Sequence, residues 1–453
     1  MSDDEKPEVS TKDTRIPCRY GAKCYQKNPV HHQKYKHLPA TNAKIGRGAK
    51  RTVLNKKRKK TSKDRTENES PQKKVQKTEN GTDDEAESVP VVNNIDENND
   101  VEESKSSESE EHEIKDSSEL VTVSSLLGDV AIESDKISLA EAQPVISHLF
   151  LVQMPDDFFQ FYEFCQSISE KNPLNVLNDF HLQLVGPFDV FRETFLEAKV
   201  EDKQALLRHW RYYYDPPEFQ TIIRDNGKDG LHYGYWRDDS SEKPVFVAKN
   251  KAAINCTIES VAENIFGTLN EHIGDKLKLA SPFEKPRISK FLQRLKNFAK
   301  EKNISLEKKT AGMQAREKKV VARTFHKGGI VVPYDKKTQL GYRDLTVTDN
   351  ELQKLLKQIE HPPTPEARKT PISKLEEVIR LATIAADECD FGTVLELGHD
   401  LFSSGVSHVQ TRALNLLSLA YGLLQRPEFQ EIARAHLKNR RKSLEPSVLQ
   451  FEQ

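Results

Sequence analysis

Apolar positions are unevenly spread along this chain. They are sparse from residue 41 to 116 and become dense and periodic from about residue 117 onward. "AQPVISHLFLVQMPDDFFQFYEFCQSI" packs aliphatic and aromatic side chains as a core requires. "LHYGYWRDDSSEKPVFVAKN", Leu231 to Asn250, reads as two strand-like runs around a polar turn, a hairpin. "AINCTIESVAENIFGTL" reads as a strand running into a helix. "KVVARTFHKGGIVVPYDKKTQLGYRDL" predicts further strands punctuated by Gly-Gly. Thr348 and Glu351 then form a capping-box pair ahead of "LQKLLKQI". From Pro371 the spacing is helical through "ISKLEEVIRLATIAADECD", "GTVLELGHDLF", "VQTRALNLLSLAYGLL" and "EFQEIARAHLKNRRK". Mixed strands and helices followed by helices alone predict an α+β domain over 117–445 with an all-helical C-terminal half. No internal repeat is visible.

Composition sharpens the boundary at the front. Charged residues make up 31% of the 453 residues, and mean hydropathy is −0.71. The formal net charge of −1 averages two opposite blocks. Lys44 to Arg65 is strongly basic, whereas "TDDEAESV" and "SSESEEHE" (Ser106 to Glu113) are acidic and serine-rich. Such segments bury too little surface to offset the entropy of ordering, so 41–116 is expected to be a disordered linker. "NKKRKK", Asn55 to Lys60, suits a nuclear-import receptor or nucleic-acid phosphates, or is simply a solvated charge run. Direct DNA binding through this tract stays open. No run of about eighteen apolar residues is present, so no membrane span is expected. The acidic start "MSDDEKPEVS" predicts no secretory signal. Five cysteines, two close together and three scattered, predict a reducing compartment rather than a disulfide framework.

The close cysteines open a candidate metal site. Cys18, Cys24, His31 and His37 are separated by five, six and five residues. Two thiolates and two imidazoles suit tetrahedral zinc, and so short a segment would take its folding energy from the metal. His32, beside His31, is a spare donor. The six-residue middle gap leaves no room for a DNA-reading recognition helix. The stretch "CRYGAKCYQK" resembles the poly(ADP-ribose)-binding zinc finger, here over 13–40. That resemblance implies that Tyr20 and Tyr25 sandwich an adenine and that Arg19 contacts the ligand. Gln26 stands where the family usually carries a basic residue. Aromatic faces stack on bases and arginine pairs with phosphate, so the residue types fit the role.

A second candidate lies in "LATIAADECDFGTVLELG". A helix enters it and is expected to end near "DECDFG", crowding Asp387, Glu388 and Asp390 against a helix C-terminus. Carboxylates there oppose the helix dipole and repel each other, so either a function or a plain exposed helix end has to account for them. A carboxylate is a competent general base within reach of a hydroxyl. The folded region shows no Gly-rich phosphate cradle, no G-x-S-x-G elbow and no second metal cluster in its sequence. That pattern suits a subunit lending a residue to another protein's site.

"GYRDL", "ADECDFG", "LELGHDLF" and "LLSLAYGLL", with "LHYGYWRD" and "PVFVA" upstream, resemble the histone PARylation factor family across Ser117 to Lys442. The resemblance implies a nuclear accessory factor that docks on poly(ADP-ribose) polymerases and completes their site at DNA damage. Glu388 would be the base that deprotonates an acceptor serine on histones. Asp387 would contact the polymerase and orient the joint site. Arg343 would hold that acidic pair and the docking surface. NAD would be bound by the polymerase. The rival readings are a poly(ADP-ribose) adaptor without catalytic contribution and a free-standing hydrolase built on Asp387 and Glu388. Trp210, Tyr212, Tyr213 and Tyr214 could stack a base, but core packing is expected. His399, His408 and Cys389 are expected to be structural. His436 to Ser443 could touch phosphate or complement a helix end.

Overall fold

The computed structural model describes residues 15–17, 35–36 and 120–451. In the front segment, β1 (Ile16–Pro17) and β2 (Tyr35–Lys36) pair in parallel, with Pro17 opposite Lys36. The zinc ligands, the three polymer-binding residues and the linker lie outside the described residues.

The body begins with β3 (Val121–Thr122), followed by α1 (Leu139–Phe150) and α2 (Asp156–Ile168). Ser138 and Glu141 form a reciprocal capping box that starts α1. Then come β4 (Leu182–Leu184), β5 (Lys199–Val200), the single turn α3 (Lys203–Leu206) and the strands β6 (Phe219–Asp225), β7 (Leu231–Trp236), β8 (Phe246–Lys251) and β9 (Glu259–Ala262). The sheet order is β4-β6-β7-β8-β9, antiparallel throughout. The expected hairpin is β7–β8, with Trp236 opposite Phe246.

Both faces of the central strands are covered, which explains their near-continuous apolar runs. Tyr233, Tyr235 and Val247 face the main core. Their alternate neighbours Trp236, Phe246 and Ala248 face a smaller cluster with Phe219, Ile258 and Met313. Asn264 caps α4 (Ile265–Leu279) directly after β9, as the strand-into-helix reading expects. α5 (Lys285–Glu301) and α6 (Ala311–Glu317) follow.

The segment 319–345 departs from expectation. It holds only isolated bridges, Ala322 to Ile330 and Asp335 to Leu340, rather than strands. Left-handed backbone at Thr324, Lys327, Gly329, Gln339 and Gly341 interrupts any extended run. Side chains take the place of a ladder. Arg316 donates to the Gly328 and Gly329 carbonyls, Arg426 to that of Val331, and Asp400 accepts from the Phe325 amide.

The helical half comprises α7 (Asp349–Glu360), α8 (Lys369–Asp387), α9 (Phe391–Ser404), α10 (Gln410–Leu423) and α11 (Pro427–Lys438). The Thr348–Glu351 capping box forms as the sequence predicts. α9 lies at the centre and is buried along most of its length, packed against α8 and α10. The chain end returns to the start of the body, where Gln450 and Lys199 exchange backbone hydrogen bonds. The fold is therefore α+β with helices in its C-terminal half. Among the described residues, no helix is long and apolar enough to cross a membrane.

Candidate functional site

The acidic stretch lies at the turn from α8 into α9. The Cys389 amide bonds the Ala386 carbonyl and the Asp390 amide bonds that of Ala385, each at 2.9 Å. This pair of bonds is a Schellman closure, and its left-handed position is Cys389 at φ 73°. Glycine usually occupies such a position, because a Cβ there crowds the backbone at a cost of about 1–2 kcal/mol. Strain of this kind persists where the surroundings enforce it.

The enforcement comes from residues 341–343. Gly341 donates its amide to Asp390 Oδ1 at 3.0 Å and accepts the Gly392 amide at 2.8 Å. Thr393 Oγ1 accepts the Arg343 amide at 3.0 Å and donates to the Arg343 carbonyl at 2.7 Å. Gly341 sits at φ 108°, and a Cβ on it would lie 2.0 Å from the Pro333 carbonyl oxygen, so only glycine fits. The 341–343 strap is thus fastened to the first turn of α9.

The strap sets Arg343 over the acidic turn. Arg343 Nη1 donates to Glu388 Oε2 at 2.6 Å, and its Nε lies 3.6 Å from Asp390 Oδ2. Glu388 is 6% exposed, whereas the Arg343 side chain is 43% exposed. The carboxylate is nearly enclosed while its partner reaches solvent. Burial raises the Asp390 carboxyl above its usual range, opposed by the Gly341 amide and by Arg343.

Two expectations are corrected here. The three carboxylates do not all crowd one helix C-terminus. Asp390 is the N-cap residue of α9, where the dipole favours negative charge. The guanidinium also bridges Glu388 and Asp390, not Glu388 and Asp387. Asp387 is exposed, and no hydrogen bond or ion pair holds its side chain among the described residues. The geometry therefore offers an enclosed, arginine-oriented carboxylate beside an exposed one.

Sequence reading missed Thr393, Gly341 and the left-handed Cys389. None carries a local signal, since the first two act only through a contact fifty residues away. It also missed Glu396, which accepts the Tyr342 hydroxyl at 3.1 Å beside Arg343. Burial lifts the Glu396 carboxyl to about 7.

Of the other candidates, Trp210, Tyr212, Tyr213 and His399 are buried, whereas His408 is exposed. Tyr212 stacks on His232 at 3.9 Å, and Arg440 lies 3.9 Å over Tyr213 and 4.0 Å over Phe402. Arg440 also donates to the Tyr213 and Phe402 carbonyls, the latter in the last turn of α9. It therefore complements the end of α9, and His436 is buried, whereas Arg441 and Lys442 are exposed. His399 is buried against Glu218 at 3.1 Å.

Among the described residues of the front segment none is a candidate zinc ligand. The register of Pro17 with Lys36 brings neighbouring strands together immediately before Cys18 and His37 in the chain. The first thiolate and last imidazole thus follow paired residues, and a two-sulfur, two-nitrogen donor set suits the ion.

Two family profiles match the chain. Histone PARylation factor 1 matches residues 141–440, and the PBZ domain matches 15–41. The chain is 40% identical over 301 residues to histone PARylation factor 1 of Bos taurus, covering 65% of this chain and 86% of the relative. It is 37% identical over 317 residues to that of Mus musculus, covering 69% and 91%. A putative histone PARylation factor 1-like protein of Homo sapiens is 38% identical over 301 residues, covering 66% and 86%.

Proposed function

The chain belongs to the histone PARylation factor 1 family, and on that premise we propose that it docks on a poly(ADP-ribose) polymerase and lends Glu388 as a general base. The polymerase brings NAD, and the acceptor is serine on histones and other proteins. The carboxylate of Glu388 takes the proton from the serine hydroxyl. The freed oxygen attacks the ribose carbon, and the bond from that carbon to nicotinamide breaks. Arg343 holds Glu388 Oε2 and so fixes the carboxylate, acting as a positioning residue. Asp387, exposed beside it, contacts the polymerase. The acidic turn attracts lysine-flanked serines of basic histone tails.

The observation that supports this reading best is the 2.6 Å pair of Arg343 with an enclosed Glu388, presented on a turn held in left-handed backbone. At the front, Cys18, Cys24, His31 and His37 would hold zinc, which supplies the folding energy of the finger. Tyr20, Tyr25 and Arg19 would then read poly(ADP-ribose). The factor acts in the nucleus, on chromatin at DNA damage sites.

The test is a reconstituted reaction with polymerase, nicked DNA, NAD and a histone tail peptide, comparing wild type with Glu388→Gln. Hydroxylamine-resistant serine linkage should fall by about 10²–10⁴-fold in the variant, the range of general-base catalysis. Docking on the polymerase, measured separately, should persist. Equal serine linkage from both proteins, with docking intact, would overturn the catalytic reading and leave a polymer-reading adaptor.

A further inference from the structure

A row of exposed positive charge lies on α5, far in sequence from the acidic turn. Its 17 residues, "KPRISKFLQRLKNFAKE", carry six Lys or Arg side chains against one Glu. Ile288, Phe291, Leu292, Leu295 and Ala299 are buried in the core. The opposite face is exposed at Lys285, Lys290, Arg294, Lys296 and Lys300. Lys285 and Lys296 are eleven residues apart, about three turns, and therefore share one side of that face. Lys290 and Arg294 are one turn apart and flank the other side. Between the two rows lie Ser289, Gln293 and Asn297, all exposed and all able to donate to phosphate oxygens.

Part of this charge is already balanced. Arg287 pairs with Asp179 at 2.9 Å, and Arg294 donates to the Ser167 carbonyl at 2.8 Å. The side chains of Lys285, Lys290, Lys296 and Lys300 have no hydrogen bond or ion pair among the described residues. At the N-terminal end of the helix, Phe283 is 94% exposed, and Leu279, at the end of α4, is 89% exposed.

We propose that this face of α5 docks on the phosphate backbone of duplex DNA, with Phe283 against the groove at its end. Four uncompensated cations along a helix about 25 Å long offer an extended row of positive charge to the phosphates of a duplex. The polar residues between them suit phosphate rather than a protein hot spot, which would present an apolar centre. A lipid surface is disfavoured, because the apolar face of the helix is consumed by the core. Phe283 has the character of the apolar wedges that rest against base steps. The site is separate from the basic tract at Lys44 to Arg65 and is independent of the role proposed for Glu388.

The experiment uses the full chain, with Lys44, Arg47, Lys50, Arg51, Lys56, Lys57, Arg58, Lys59, Lys60, Lys63 and Arg65 changed to Gln so that the tract is silenced. Binding to a labelled blunt duplex is followed by fluorescence anisotropy from 50 to 200 mM salt. Adding Lys285→Gln, Lys290→Gln, Lys296→Gln and Lys300→Gln should weaken binding by about tenfold or more at low salt. The slope of log K against log salt should become shallower by about three to four, the change expected for four lost phosphate contacts. Phe283→Ala should weaken binding with the slope unchanged. Unchanged thermal unfolding checks that the exposed substitutions leave the fold intact. If duplex affinity and slope do not move, the proposal fails. It fails equally if duplex binding is unchanged while binding to poly(ADP-ribose) or to an acidic peptide is lost, which would assign the face to that partner.

Discussion

At the scale of single residues, the acidic turn depends on a conformation its own residues resist. Cys389 adopts left-handed backbone although it is not glycine, and the tie from residues 341–343 keeps it there. A β-branched residue fits that region worst. Cys389→Val should therefore be less stable than Cys389→Gly by about 1–2 kcal/mol in urea unfolding. Its serine-transfer activity should fall with the stability, because the same turn aims Glu388. Equal stability of the two variants would show that the turn is not under strain. Glu388 and Asp387 are neighbours in sequence with opposite surroundings, one enclosed and arginine-held, the other open to solvent. That difference is the physical basis for giving them different roles.

At the scale of elements, the site is a joint between an irregular strap and two helices. α9 contributes Thr393 and Glu396 on successive turns, and both face the strap. Thr393 fixes the Arg343 backbone, and Glu396 accepts the Tyr342 hydroxyl one residue earlier. Burial, with Asp344 and Asp349 nearby, raises Glu396 from 4.5 to about 7. A carboxyl raised on folding adds stability that is fully present below about pH 4.5 and is lost as pH rises through about 7. Glu396→Gln should remove this pH dependence. It should match wild type near pH 4.5 and exceed it at pH 8 by at most about 3 kcal/mol, from the size of the shift. Urea unfolding at the two pH values checks the sign. A variant less stable than wild type at pH 8 would mean that the ionised carboxylate supports the strap instead.

At the scale of the whole molecule, one chain carries a PBZ-domain match at 15–41 and a histone PARylation factor 1 match at 141–440. On the proposed function, joining a polymer reader to a polymerase cofactor would raise the local concentration of the second wherever the first is bound. Cys18→Ala should therefore reduce retention on poly(ADP-ribose)-coated beads and at damaged chromatin. Serine linkage on a free histone peptide should be unaffected. Undiminished retention would show that the front segment does not recruit the body.

What could be read in the sequence was what short range determines. The α7 capping box needs only Thr348 and Glu351 three residues apart. The β7–β8 hairpin needs two apolar runs around a polar turn, and the end of α8 falls at the acidic stretch as its periodicity predicts. The PBZ-domain match at the front was equally legible, because it rests on the order of residues within one short segment. The strands expected over 319–345 failed, because left-handed residues interrupt the extended run and side-chain donors from α6 and from Arg426, the N-cap of α11, satisfy its carbonyls. Periodicity within the segment cannot register donors that lie elsewhere in the chain. In the same way, no local pattern marks Asp390 rather than Asp387 as the acid that shares Arg343. That choice was made by the tie of Gly341 and Arg343 to α9, contacts spanning about fifty residues that exist only once the helices have packed.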